Sequence, residues 1–136
     1  MRKNIFAEQL LEDAMNILGV DDNKTITDFL ETVLTSRGHK FTGINDGKKG
    51  LDLIKQIKFD VILLDIGMPY FSGLDIIEEL STLGILHKHN ILLVTASSMD
   101  DEMLSKLVKK GIKGWVRKPF QVDVLLEEIK KFENKS

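Results

Sequence analysis

Five residues able to do chemistry stand at the ends of short apolar runs: Asp21 and Asp22 after Val20, Asp65 after Leu63-Leu64, Thr95 after Val94, and Lys118 shortly after Val116. Alone, each has an ordinary explanation. Asp21 and Asp22 suit a helix cap, Asp65 a turn, Thr95 a strand or cap, and Lys118 a solvated surface. Together they read differently. Clustered carboxylates repel one another and hold protons more tightly unless a cation joins them. A small set of hard oxygen ligands suits Mg2+, which keeps several waters and commonly bridges to phosphate. A lysine and a hydroxyl at the rim supply charge and a hydrogen bond to phosphoryl oxygens. The set reads as a metal-assisted phosphoryl site with an aspartate as nucleophile.

That reading needs elements that bring the five together. Buried strands are expected at Met15–Val20, Phe41–Ile44, Val61–Leu64, Ile91–Val94 and Gly114–Val116. Between and after them run apolar stripes with helical spacing: Ile26, Phe29, Leu30, Val33 and Leu34; Leu51, Ile54 and Ile57; Leu74, Ile77 and Leu80; Met103, Leu104, Leu107 and Val108; Val122, Leu125, Leu126, Ile129 and Phe132. Asp46-Gly47 and Gly111 are turn and cap signals, Ser72-Gly73 opens the third helix, and Pro119 suits the start of the fifth. The third and fourth strands are apolar throughout, as in a parallel sheet covered on both faces.

The sequence therefore predicts an α/β fold, a doubly wound (βα)5 domain with a five-stranded parallel sheet in the flavodoxin-like order 2-1-3-4-5. In that order strands one, three, four and five are neighbours, and their carboxyl ends share one shallow pocket. Residues 15–133 form the domain, and residues 1–14 a short N-terminal extension whose Ala7, Leu10, Leu11 and Ala14 have helical spacing.

Bulk properties narrow the function. A chain of 136 residues holds one domain, and 43% hydrophobic with 29% charged residues is an ordinary globular composition. A net charge of −2 argues against nucleic-acid binding through bulk charge, and the lack of cysteine removes disulfides, thiolate zinc sites and thiol nucleophiles. No apolar run approaches the roughly 20 residues that span a bilayer, and the N-terminus lacks a signal-peptide core. The expectation is a cytoplasmic protein without membrane insertion.

The motifs Val20-Asp21-Asp22, Leu64-Asp65-Ile66-Gly67-Met68-Pro69 with Gly73 following, Thr95-Ala96 and Lys118-Pro119-Phe120 resemble those of response-regulator receiver domains, over residues 15 to about 133. The resemblance implies a stand-alone, chemotaxis-regulator-like switch of a two-component phosphorelay rather than a conventional enzyme. Asp65 would accept a phosphoryl group from a sensor histidine kinase or histidine phosphotransfer protein. Asp22, Asp65 and the Gly67 backbone carbonyl would hold Mg2+, with Asp21 acting through water. Lys118, after a cis bond to Pro119, would pair with Asp65 and then with the phosphoryl group. Thr95 would swing toward that group, and Trp115 is the switch aromatic, where the family more often has tyrosine or phenylalanine. Output would pass through the helix 4–strand 5–helix 5 face to a downstream protein, from a monomer or weak dimer. Small residues at Gly67 and Ser97 imply an intermediate rate of phosphoryl loss.

Other features are weaker. His39, His87 and His89 lie away from the expected pocket, and the five methionines read as core filler. Lys106, Lys109, Lys110 and Lys113 cluster beside the expected output face and suit an acidic partner. Two rival readings are a phosphorylation-independent docking module and a small Mg2+-dependent phosphohydrolase. Gly67 stands where a hydrolase of the haloacid-dehalogenase type places a second aspartate, which disfavours the latter.

Overall fold

The computed structural model describes residues 14–96 and 98–133. Ser97 and residues 1–13, nearly all of the expected extension, lie outside the described residues. Strands β1 (Asn16–Val20), β2 (Lys40–Ile44), β3 (Val61–Leu64), β4 (Ile91–Ala96) and β5 (Gly114–Lys118) alternate with helices α1 (Lys24–Ser36), α2 (Gly47–Gln56), α3 (Gly73–Thr82), α4 (Asp101–Lys110) and α5 (Val122–Lys130). A short 3-10 turn, Leu86–Lys88, precedes β4. The strands form one parallel sheet in the order β2-β1-β3-β4-β5.

Alternating side chains leave opposite faces of a strand, and here each face carries its own apolar core. Leu18, Ile62, Leu64, Ile91 and Leu93 pack with Ile54, Ile76, Leu80, Leu104 and Leu107, which belong to α2, α3 and α4. Ile17, Leu63, Leu92, Val94 and Val116 pack with Leu30, Leu34, Leu125 and Ile129 of α1 and α5. Each fully buried aliphatic side chain contributes on the order of 1.5–3 kcal/mol of transfer free energy.

The helix starts follow local chemistry. Asn23, Asp46 and Asp100 cap α1, α2 and α4 with side-chain oxygens, and Ser72 forms a reciprocal capping box with Asp75. Gly111 ends α4 at φ 140°, where a Cβ would be strained.

Several sequence expectations need correction. β4 and β5 each run two residues further than their apolar runs, so Thr95 and Lys118 lie inside strands. Pro119 does not start the last helix; α5 begins at Val122 with Gln121 before it, and Pro119 follows a cis bond in the preceding turn. In α1 Phe29 is 44% exposed, while Thr27 is buried because its hydroxyl is satisfied by the Lys24 carbonyl and the Asn45 amide. In α4 only Leu104 and Leu107 are buried; Met103 and Val108 face outward because a ten-residue helix offers the sheet one narrow stripe. Met15 and Met68 fill core, as expected of methionine, but Met103 does not.

Two glycines fix the loop behind Asp65. A Cβ at Gly73 would lie 2.3 Å from the Asp65 carbonyl oxygen, and one at Gly47 1.9 Å from the Phe71 carbonyl oxygen. Both obstacles are backbone and cannot rotate away. Gly73→Ala and Gly47→Ala are each expected to lower unfolding free energy by about 1–3 kcal/mol, read as a lower urea midpoint with an unchanged slope.

Candidate functional site

Ladder hydrogen bonds continue one residue past the strand ends and set the site. The Asp21 amide donates to the Ile44 carbonyl at 3.0 Å, and the Asp65 amide to the Val20 carbonyl at 2.9 Å. Asp21 and Asp65 therefore leave neighbouring strands side by side, 4% and 8% exposed, with Asp22 outside them and solvent-facing. Each of the three offers a carboxylate oxygen, and these oxygens all lie within 4.8 Å of one another.

Lys118 reaches the cluster from β5. Its Nζ lies 2.7 Å from Asp21 Oδ2 and 3.6 Å from Asp65 Oδ1, so it contacts both carboxylates, Asp21 the more closely. Asp21 is held further by the Asn23 amide, which donates to its Oδ1 at 2.9 Å. The Gly67 amide donates to Asp65 Oδ1 at 3.3 Å. Three carboxylates against one ammonium leave an uncompensated negative charge.

The electrostatics follow. Burial, and next the Asp21 charge, push the Asp65 pKa up, against the lowering effect of Lys118 and the Gly67 amide. Burial alone would lower the Lys118 pKa, but its hydrogen bond to Asp21 and the charges of Asp21 and Asp65 outweigh it and leave the pKa raised. Hard oxygen donors, two of them buried, with charge left to neutralise, fit a divalent cation such as Mg2+.

Thr95 is 2% exposed near the end of β4, and its register partner is Arg117; Ala96 faces Lys118 in the same ladder. Trp115 pairs with Leu93 and packs, half-buried, against the larger apolar core. The structure thus brings Asp21, Asp22, Asp65 and Lys118 together and sets Thr95 and Trp115 on the two strands beside them. An apolar hollow lined by Ile26, Phe29, Ala96, Pro119 and Phe120 adjoins Lys118.

Some contributors were not foreseen. Asn45 donates from its side chain to the Asp21 carbonyl at 2.8 Å and to Thr27 Oγ1 at 3.0 Å, bracing the β1 exit. Arg117 hydrogen-bonds the Met99 carbonyl and the Asp101 carboxylate. A polar side chain just past or just inside an apolar run was the only available signal for either. The histidines stay away from the carboxylates: His39 Nδ1 accepts the Met15 amide, and burial followed by Lys113, Lys58 and Lys88 lowers the His89 pKa. The lysine cluster is largely engaged within the chain, with Lys110 on Glu78, Lys113 on the His87 and His89 carbonyls, and Lys106 3.9 Å from Glu102.

A raised carboxyl pKa means that the folded state binds the proton more tightly than the unfolded chain. Asp65 therefore lowers stability as pH rises from the ordinary carboxylate range through its folded pKa, and the penalty is complete once the pH lies above that folded pKa. Asp65→Asn is expected to raise the Tm by a few degrees near pH 7, with the gain vanishing as the pH falls toward the unfolded carboxylate pKa. Calorimetry across pH checks the sign, and Mg2+ should raise the wild-type Tm more than that of Asp65→Asn.

The sequence model of the response regulator receiver domain matches residues 17–130. The transcriptional regulatory protein DltR of Streptococcus agalactiae is 31% identical over 116 residues, covering 85% of this chain; the chain spans 50% of that protein's length. The chemotaxis protein CheY of Pseudomonas aeruginosa is 31% identical over 118 residues, covering 86% of this chain and 94% of CheY. The crystal structure of the response regulator TrrA of Thermotoga maritima in complex with Mg2+ and BeF superposes with a TM-score of 0.71 at 29% identity, covering 86% of this chain and 97% of that one. Sheet order, an acidic cluster at the carboxyl edge and a match over most of its length agree: the chain belongs to the response regulator receiver domain family, the signalling switches of two-component systems.

Proposed function

We propose that this chain is a phosphorylation-driven switch in which Asp65 accepts a phosphoryl group from a sensor histidine kinase or a histidine phosphotransfer protein. The observation that carries the reading is the buried Asp65 carboxylate, set among Asp21 and Asp22 with the Lys118 ammonium 3.6 Å away. An Asp65 oxygen attacks phosphorus, the new O–P bond forms, and the P–N bond of the phosphohistidine breaks. The electron pair leaves with the imidazole. A carboxylate made more basic by burial and by Asp21 is a better nucleophile once ionised.

Lys118, already shared between Asp21 and Asp65, follows the charge onto the transferred group. The Thr95 hydroxyl, on the neighbouring strand, donates to a phosphoryl oxygen. Asp22, Asp65 and the Gly67 carbonyl are the ligands assigned to Mg2+, with Asp21 acting through water. An ion held there would neutralise charge on the phosphoryl oxygens. The hollow of Ile26, Phe29, Pro119 and Phe120, whose Phe29 and Phe120 rings lie 6.5 Å apart, offers the donor protein an apolar landing beside Lys118.

New charge at Asp65 is a local event that needs a two-state element to be read elsewhere. The element assigned here is the face of α4, β5 and α5, to which Trp115 belongs, and its reader is a downstream protein. Direct nucleic-acid contact has no support in the charge pattern. The working unit is residues 15–133, as a cytoplasmic monomer or weak dimer. Among the described residues no helix is long and apolar enough to cross a membrane.

Incubation with Mg2+ and acetyl phosphate tests the reading by intact mass. One phosphoryl group should add to the wild type, none to Asp65→Asn, and none when chelator removes the Mg2+. Lys118→Ala should slow uptake by roughly tenfold or more. Emission of Trp115, the one tryptophan, should change with uptake. A wild type that stays unmodified, or that turns over external phosphate esters many times, overturns the proposal.

A further inference from the structure

Arg117 sits next to Lys118 in β5, yet two of its contacts run toward α4 and away from the Asp21, Asp22 and Asp65 cluster. One guanidinium nitrogen donates to the Met99 carbonyl, in the segment between β4 and α4, and another to the carboxylate of Asp101, the first residue of α4. Its register partner across the ladder is Thr95. Strand alternation sets Thr95, Trp115 and Arg117 on the face covered by the larger core, and Met99 and Trp115 both pack against that core.

A guanidinium is a rigid planar fork, so two acceptors held by one arginine are fixed relative to each other as well as to the strand. From this geometry we infer that Arg117 is a positioning residue, which makes the β4–α4 loop and the first turn of α4 respond as one body to the state of Asp65. The inference rests on Asp65 being the phosphoacceptor. Its logic is mechanical. Beyond the end of β4 at Ala96 the chain is anchored at Met99, and α4 at Asp101, on the strand that also delivers Lys118. A shift of Thr95 toward a phosphoryl group then pulls on α4 through the fork instead of being absorbed by the loop.

Lysine at this position would keep the charge and lose the fork. A role in charge alone therefore survives Arg117→Lys, and a role in positioning does not. The Asp101 side chain is 84% exposed, so Asp101→Ala removes one arm without opening the core.

Hydrogen exchange on the full chain, with Mg2+ alone and with Mg2+ plus beryllofluoride, reads the response of residues 98–104. Phosphoryl uptake from acetyl phosphate is followed in parallel by intact mass. The wild type should show a change in protection over these residues. The change should be about threefold smaller in Arg117→Ala and Arg117→Lys, and intermediate in Asp101→Ala. Uptake should stay within about twofold of wild type in all three, and the Arg117→Ala and Asp101→Ala effects should not add. A full-sized change in Arg117→Ala overturns the inference, as does uptake that falls together with protection. If Arg117→Ala does not fold, an unchanged response in Asp101→Ala overturns it alone. A wild type that takes up neither phosphoryl nor beryllofluoride overturns the phosphoacceptor reading itself, an outcome visible before any variant is compared.

Discussion

Like charges held close together dominate this molecule. Asp21, Asp22 and Asp65 offer oxygens within 4.8 Å of one another, against one ammonium, and two of the three are buried. Left to themselves these groups would separate. The backbone prevents it, because Asp21 and Asp65 are pinned by ladder bonds to Ile44 and Val20. Behind those bonds stand Leu18, Ile62, Leu63 and Leu64, all within 2% of complete burial. Apolar burial at the centre of the sheet thus holds together an electrostatically unfavourable edge, which a bound cation would relieve.

Lys118 shows how the imbalance is distributed. Its close partner is Asp21, and Asp65 receives a longer contact together with the Gly67 amide. Burial, and next the Asp21 charge, raise the proton affinity of Asp65.

The sheet order and the meeting of Asp21, Asp22, Asp65 and Lys118 were legible because these residues follow three apolar runs, Asp21 and Asp22 after Val20, Asp65 after Leu64 and Lys118 shortly after Val116. A polar residue after an apolar run marks a strand exit in any parallel sheet with covered faces. The same rule misjudged the ends of β4 and β5. Thr95, Arg117 and Lys118 are polar yet still in the ladder, and a drop in hydropathy reads as an exit whether or not the backbone has left. Pro119 was misplaced for a related reason, since a proline after a strand suits a first helical turn as well as it suits the bend that precedes α5. Asn45 and Arg117 were out of reach because their partners lie 24 and 18 residues away along the chain. The four lysines near α4 looked like a free basic patch because sequence does not disclose that Glu78 and the His87 and His89 carbonyls stand opposite two of them.

Gly67 differs from the other glycines of the site. Gly73 and Gly47 are locked by backbone at van der Waals distance or less, whereas a Cβ built on Gly67 would meet nothing within 4 Å. The residue nonetheless touches Asp65 through its amide. Side chains of many shapes therefore fit at this position while the core registers no difference. The fold thus leaves one position beside a buried carboxylate unconnected to its own integrity, so descendants of this chain are free to vary there without relearning how to fold.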